Sequence, residues 1–456
     1  MRRRFLSDLA LLGLIVAALS ACGDGPGTDA GVPPPDPFAD PLTRSLLDPG
    51  VSTDVRIERI LAIGGDGSSG AVHALLRALR DRSQAAFLLA PDEDHELGYR
   101  AVEFKKTGDD AYPMERVAAV VALEKTGSYA ALPDLLLALD DRNEVVQNHA
   151  ARALIRLGSK AGIPVLLANL EKRILQNETA NQILEDISGE DMGFNPDAGW
   201  DLKDRAIRKW KAWWDGLPVS GTRPPLEGRP YQEGSDPVAD RRIAFIVDML
   251  GQMQFLYHEQ ARATLARMGA PALPFLRAGV ERARRSGNAT TRAGIAHVLA
   301  HIDHANSLEL LADLLGDAHP TVRSRAAESL GQRGGAVAVR TLSDVLGDPD
   351  PAVQLAAVAS LGRVGGDDAI VAIRGFDDSA DSALAATKTL ALFEATGGKE
   401  QREAVLGMLL AVDIPTRNAA HLVLARLTGD DAGYDAMAAE KDRERAVRRY
   451  RGLLDG

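Results

Sequence analysis

The sequence predicts an all-α protein in which short helix pairs stack as an α-solenoid, in two tandem arrays. Three observations predict this class. A segment of helix-pair length recurs every 29 to 34 residues, a closing segment occurs twice, and aromatic residues make up only 5% of the chain. A single helix pair of this size cannot bury its apolar face alone, whereas stacked pairs share one continuous core.

The repeat is clearest in the second half, where PTVRSRAAESLG (residues 320–331) is followed 31 positions later by PAVQLAAVASLG (residues 351–362). Proline at the first helical position costs no hydrogen bond, and Asp350, just before Pro351, is a good N-cap. A second apolar run follows each stretch after a glycine-rich turn, so one unit is a pair of helices. The same anchor recurs at Leu123, Leu154, Leu184, Leu299, Leu330, Leu361, Leu390 and Leu424.

These units resemble short HEAT-like repeats of the kind also seen in bilin lyases. The resemblance covers most of residues 45–456 and rests on the spacing of the helix pairs and of their anchor leucines. It implies an armadillo-like superhelix whose second helices line an extended concave surface. It implies no particular ligand, because such scaffolds host many roles.

The closing segment occurs as ISGEDMGFN (residues 187–195) and LTGDDAGYD (residues 427–435), 240 positions apart. Each copy leads into a helix of matching pattern, RAIRKWKAWWDG (residues 205–216) or RAVRRYRGLLDG (residues 445–456). Since a terminal repeat needs an atypical element to cover its apolar end, we predict two arrays closed by the same cap. The predicted organisation is a signal peptide over 1–21, a disordered tether over 22–44, a first array with its Trp-rich cap over 45–216, a Pro/Gly-rich linker over 217–239 and a second array with its cap over 240–456.

The N-terminal residues predict where the protein resides. A basic start is followed by ALLGLIVAAL (residues 10–19), an apolar run too short to cross a bilayer. The next residues, LSAC, resemble a bacterial lipobox, which implies a lipoprotein signal peptide and lipidation of Cys22. Residues 23–41 are rich in Gly, Pro and Asp and predict a tether. We therefore expect a lipid anchor in a membrane of the bacterial cell envelope.

Charge and cysteine content exclude several classes of function. The chain has 53 basic and 64 acidic residues, for a net charge of −11. Such a balance argues against a broad nucleic-acid surface. Cys22 is the only cysteine, so neither an intrachain disulfide nor a cysteine-based metal cluster is expected.

Acidic and histidine residues are the candidates for metal binding. The acids of the closing segments, among them Asp191 and Asp431, are interpreted as turn residues, with calcium binding as the alternative. His297, His301 and His304 are spaced to share one helix face if the helix continues that far, which would suit zinc. Exposed histidines without a ligand are the simpler interpretation. No cofactor is expected.

Two His-Glu pairs resemble part of the signature of the HEAT-repeat di-iron enzyme deoxyhypusine hydroxylase. That family has four such pairs, whereas this chain has only His95-Glu96 and His258-Glu259. The motifs of other common enzyme classes are also missing: there is no phosphate-binding glycine loop, no HExxH and no GxSxG. The chain is therefore not expected to be an enzyme.

The predicted function is a membrane-anchored scaffold that binds another protein in the cell envelope. Exposed residues of the second helices, such as Arg340, Asp344 and Arg374, are candidates for contacting that partner. One alternative is an envelope element that binds cell-wall polymer, and another is an accessory of a lyase-like or metal-dependent enzyme. An irregular segment at about residues 85–113 interrupts the first array and is either functional or merely mobile.

Overall fold

A computed structural model of the protein describes residues 41–48, 50–64, 66–80, 87–91, 99–103, 113–172, 177–216, 231–252, 255–378 and 382–455. The chain divides into two compact units between Ser307 and Leu308. Cys22, the predicted tether up to residue 40, His95-Glu96 and most of the predicted linker lie outside the described residues. None of the described helices is long and apolar enough to cross a bilayer.

The first unit contains helices and one hairpin. Short 3₁₀ turns at Tyr129–Ala131, Lys160–Gly162, Met249–Gly251 and Ala270–Ala272 introduce or end several helices. The longer elements are α1 (Pro41–Leu46), α2 (Thr53–Ala62), α3 (Ser69–Arg80), β1 (Phe87–Pro91), β2 (Tyr99–Glu103), α4 (Pro113–Thr126), α5 (Leu132–Ala138), α6 (Glu144–Arg156), α7 (Ile163–Glu171), α8 (Asn177–Ser188), α9 (Trp200–Asp215), α10 (Pro237–Asp248), α11 (Phe255–Met268), α12 (Leu273–Arg285) and α13 (Ala289–Leu299).

The second unit is helical throughout its described residues. The division falls inside α14 (Ala305–Leu315). The remaining helices are α15 (Pro320–Arg333), α16 (Gly335–Val345), α17 (Pro351–Val364), α18 (Asp367–Gly375), α19 (Ser382–Ala395), α20 (Arg402–Met408), α21 (Ile414–Thr428) and α22 (Glu440–Asp455). The predicted all-α solenoid class is thus confirmed, and the hairpin is an addition to it.

Capped helix pairs explain the repeat seen in the sequence. Asp350 caps α17 as predicted, since its Oδ1 accepts a hydrogen bond from the backbone N of Ala352 at 2.9 Å. In the same loop Asp348 accepts one from the backbone N of Asp350 at 2.9 Å and another from Arg323 Nε at 2.8 Å. Arg323 lies on the first helix of the preceding pair, so each loop is tied to the unit before it. Arg116 and Asp141 form the equivalent tie in the first unit, at 3.0 Å.

The anchor leucines form the core, as the spacing predicts. All eight are buried. The glycine that follows the anchor marks the closest approach of neighbouring first helices. A Cβ atom at Gly331 would lie 2.5 Å from Cβ of Ser360, and one at Gly362 would lie 2.6 Å from Cα of Ala391. The repeated Ser-Leu-Gly therefore encodes both a buried anchor and a close helix contact.

The segment expected to be irregular contains a two-stranded antiparallel hairpin. β1 pairs with β2, with Leu89 opposite Ala101 in the register. The sequence did not reveal the strands because each has only five residues. Neither run shows the polar-apolar alternation that predicts a half-buried strand.

Residues on both sides of the predicted linker pack together in the first unit. Asp134 on α5 accepts hydrogen bonds from Arg80 on α3 at 2.8 Å and from Arg242 on α10 at 2.6 Å, and all three side chains are buried. Burial raises the pKa of Asp134, but the two arginines outweigh that effect and hold the pKa below its usual value. Arg267 on α11 adds hydrogen bonds of 2.6 and 2.7 Å to Asp140. The linker boundaries themselves stay a prediction.

Candidate functional site

The two closing segments share most of their turn contacts. Each preceding helix ends at a glycine with positive φ, +70° at Gly189 and +71° at Gly429. In the first copy Asp191 Oδ1 accepts a hydrogen bond from the backbone N of Gly193 at 2.7 Å, and in the second Asp431 Oδ1 accepts one from Gly433 at 2.8 Å. Asn195 and Asp435 make a further matching turn, each accepting from the backbone N two residues on, at 2.8 Å. These contacts agree with the predicted turn role of the acids.

A buried polar contact joins each cap helix to the last repeat helix. Trp210 Nε1 donates to Asn181 Oδ1 at 2.9 Å in the first cap, and Tyr450 Oη lies 2.8 Å from His421 Nδ1 in the second. The members of the two pairs are again 240 positions apart. We did not predict these pairs, although extending the 240-residue alignment into the preceding helix would have found them.

The second cap is a cluster of three rings. His421 stacks on Tyr434 at a centroid distance of 5.0 Å, and Tyr434 Oη donates to the carbonyl of Leu409 at 2.7 Å. Burial lowers the pKa of His421, with Asp431 opposing the shift, and burial raises the pKa of Tyr450. The lowered pKa favours the neutral imidazole, whose Nδ1 can accept a hydrogen bond from the Tyr450 hydroxyl.

The two cap helices also share one pattern of burial. Buried and exposed positions follow one pattern over residues 201–210 and over residues 441–450. Lys211 pairs with Glu171 on α7, and Arg451 pairs with Glu403 on α20 at 2.6 Å. Each cap helix is thus tied by a cation to the second helix of the last full pair.

The predicted histidine trio does not share a helix face. α13 ends at Leu299, so His301 and His304 follow the helix rather than continue it. His297 stacks on His301 at 5.6 Å, and its Nε2 lies 2.7 Å from Nη1 of Arg262. His304 Nδ1 instead accepts a hydrogen bond from the backbone N of Asn306 at 3.1 Å, at the start of α14. The helix thus does not continue as far as a shared face would require, because His304 supports the turn into the next helix.

The remaining metal candidates are engaged in local contacts. His258 Nδ1 lies 2.9 Å from the carbonyl oxygen of Leu250, and Glu259 pairs with Arg262 one turn along α11. Within the described ranges, no three His, Cys, Asp or Glu side chains are grouped so that they could share a metal ion.

The predicted partner-binding residues lie on two adjacent second helices. Arg340 and Asp344 are exposed on α16, and Arg374 is exposed on α18, where it pairs with Glu400. Two valines that the sequence analysis did not single out lie on the same helices, Val337 with 46% and Val371 with 67% of its surface exposed. Exposed valines beside charged side chains make this face the best candidate for a protein contact in the second unit.

An open groove lies beside the first cap helix. Its volume is about 370 Å³, and it is lined by Glu171, Trp200, Asp204, Ile207, Arg208 and Lys211. The Lys203 ammonium lies over the Trp200 ring, 5.1 Å from its centroid. Two of the charged side chains that line the groove, Glu171 and Lys211, pair with each other.

Similar solved structures include a human deoxyhypusine hydroxylase in complex with glycerol, with 18% identity over 71% of this chain and 94% of that one and a TM-score of 0.23. The CpcE–CpcF complex of phycocyanin lyase from Nostoc sp. PCC7120 has 18% identity over 77% and 97%, with a TM-score of 0.20. Importin beta has 12% identity over 85% and 51%, with a TM-score of 0.30. Scores this low say nothing about ligand or reaction.

A search of curated proteins finds no match for the chain. The HEAT-repeat family model matches residues 105–180 and 276–348, which include the pairs α4–α5 and α15–α16. Both segments contain capped helices, buried anchor leucines and an Arg-Asp tie between repeats. The HEAT-repeat model therefore matches one segment in each half of the chain.

Proposed function

We propose that the protein is a lipid-anchored scaffold of the bacterial cell envelope whose HEAT repeats bind a protein partner. The observation that carries the proposal is the face formed by α16 and α18. Two exposed valines lie on these adjacent helices, beside exposed charged side chains. A protein partner would cover the valines and leave the charges at the rim.

The anchor in this proposal rests on the lipobox-like LSAC at residues 19–22. A single acyl chain holds a membrane only marginally, whereas several chains hold it stably. The modification that such a box directs supplies several chains to the cysteine. The Pro-rich stretch after Cys22 would then keep the repeats clear of the bilayer.

The proposal is tested by affinity purification of the lipidated protein from membranes, with mass spectrometry of the proteins that accompany it. We expect a stoichiometric partner, and its recovery should fall on the order of ten-fold in the variant Val337→Glu/Val371→Glu. The matched control is Val412→Glu, because Val412 lies in a loop of the same unit, away from α16 and α18, and is 98% exposed. Equal recovery from all three proteins would contradict the assignment of this face.

The anchor is checked separately with Cys22→Ser. The variant should leave the membrane fraction, and the N-terminal peptide of the wild type should carry the mass of the lipid. A wild-type N-terminus without lipid would contradict the anchor while leaving the protein-binding face untouched.

A further inference from the structure

The two cap helices repeat a stretch of positive charge in an otherwise acidic protein. Residues 205–211 read RAIRKWK and residues 445–451 read RAVRRYR, with four basic and no acidic residues in each. The whole chain has a net charge of −11. All four basic positions keep their sign between the copies. Outside this stretch Asp204 keeps its sign as Glu444, whereas Asp201, four positions before Arg205, corresponds to Lys441.

Most of these cations face outward. In the first cap the buried side chains are Ala206, Ile207 and Trp210, and with 3.6 residues per turn the opposite side of the helix carries Arg205, Arg208 and Lys209. The same geometry in the second cap exposes Arg445, Arg448 and Arg449. We call each set of three a cap ridge. A small residue, Ala212 or Gly452, lies on the same outer side of each helix.

Holding the fold together accounts for only part of this charge. Lys211 and Arg451 form the ties to α7 and α20 described above. Lys209 reaches the Met192 carbonyl at 3.3 Å and Arg449 reaches Asp430 at 3.6 Å, so both also brace the cap loop. Arg445 pairs with Asp442 on the preceding turn of α22. In the part of the chain that the structure describes, Arg205, Arg208 and Arg448 have no hydrogen bond or ion pair.

Two general explanations for retained charge also fail. The helix macrodipole favours cations only in the last turn, whereas the ridges lie in the middle of 16-residue helices. Solubility of a terminal helix requires a polar outer face but no particular sign. At one exposed position of the first turn the sign does change, from Asp201 to Lys441.

We propose that the cap ridges bind the anionic headgroups of a membrane surface. A convex row of flexible cations around a small residue fits an extended anionic surface, which can engage every cation at once. The three side chains of each ridge are cationic, whereas protein interfaces depend on aromatic or aliphatic anchors. Leu202 is exposed on the first cap helix, but Asp442 occupies its place in the second. This inference rests on the proposed membrane anchoring, because the tether would keep the ridges at high effective concentration near the headgroups.

The test uses the full chain carrying Cys22→Ser, so that no lipid contributes, and measures co-sedimentation with vesicles of phosphatidylglycerol or of phosphatidylcholine at low and high salt. We expect binding to the anionic vesicles alone, weakened by salt. In Arg205→Gln/Arg208→Gln and in Arg445→Gln/Arg448→Gln, affinity should fall by about five-fold for each cation removed from the bound ridge. Arg340→Gln/Arg374→Gln removes two exposed cations from the proposed protein-binding face and should leave vesicle binding unchanged.

Three results would overturn the inference: equal binding to both vesicles, an equal loss in the control variant, or cap variants that bind like the parent. Capture of a poly-glutamate peptide by the ridges without vesicle binding would replace the membrane with an acidic protein segment. The chain used in the vesicle test lacks the lipidated cysteine. Absence of vesicle binding would therefore not affect the anchor test, which compares the wild type with Cys22→Ser in the membrane fraction. Loss of the partner in Val337→Glu/Val371→Glu likewise reports on the other face alone.

Discussion

Single buried residues connect parts of the first unit that are far apart in sequence. Asp134 is shared by Arg80 and Arg242, which lie on opposite sides of it along the chain. A buried ion pair adds little compared with an apolar replacement, but removing one partner leaves buried charge uncompensated. The network therefore matters most for which segments pack together.

Replacing Asp134 with Ala should destabilise the first unit by about 3–5 kcal/mol, because two buried guanidinium groups lose their common carboxylate. Urea denaturation followed by far-UV circular dichroism measures the change. Asp140→Ala is the matched control, since it removes an ion pair whose carboxylate is 60% exposed and should cost about 0–1 kcal/mol. Similar losses in the two variants would show that the Asp134 network has no special weight.

At the scale of elements, the two caps show one junction made with different chemistry. The first uses an indole N–H and an amide, and the second uses a phenol and an imidazole. Only the second can titrate near neutral pH. Burial in the folded state holds the pKa of His421 below its usual value of about 6.5.

Since the unfolded chain takes up the proton first, the contribution of His421 to stability is fully present above about pH 6.5 and is lost as the pH falls through the lowered folded pKa. Substitution His421→Asn copies the first cap and should remove that dependence. The denaturation midpoint of the wild type should therefore fall further than that of the variant between pH 8 and pH 5. His149, whose pKa burial lowers to about 4, titrates in both proteins and cancels in the difference. A constant difference across this range would contradict the prediction.

The period of the repeat and the residues typical of helix starts made most helices predictable. The 31-residue offset located α15 and α17, and Asp350 and Pro351 marked a helix start. Features that depend on contacts between distant segments were not predictable. Nothing local to Asp134 indicates that Arg242 reaches it, and the short strands of the hairpin have no alternation. The spacing of the three histidines could not show whether they share a helix face, because helical spacing alone does not reveal where α13 ends.

At the scale of the whole molecule, the proposed functions use separate surfaces. The protein-binding face lies on α16 and α18 of the second unit, whereas the cap ridges lie on α9 of the first unit and α22 of the second. The sequence predicted the cap helices but no function for their basic residues. That inference needed the burial of each position and the contacts that already account for Lys211 and Arg451.

The placement of the tryptophans has a practical consequence for spectroscopy. All four lie in α9, at Trp200, Trp210, Trp213 and Trp214. Intrinsic tryptophan emission therefore reports on α9 and its surroundings alone, and tyrosines can transfer excitation energy only to tryptophans of this helix. Unfolding of the second cap would be invisible in that channel, while detachment of α9 should shift the emission even if every other helix stays in place.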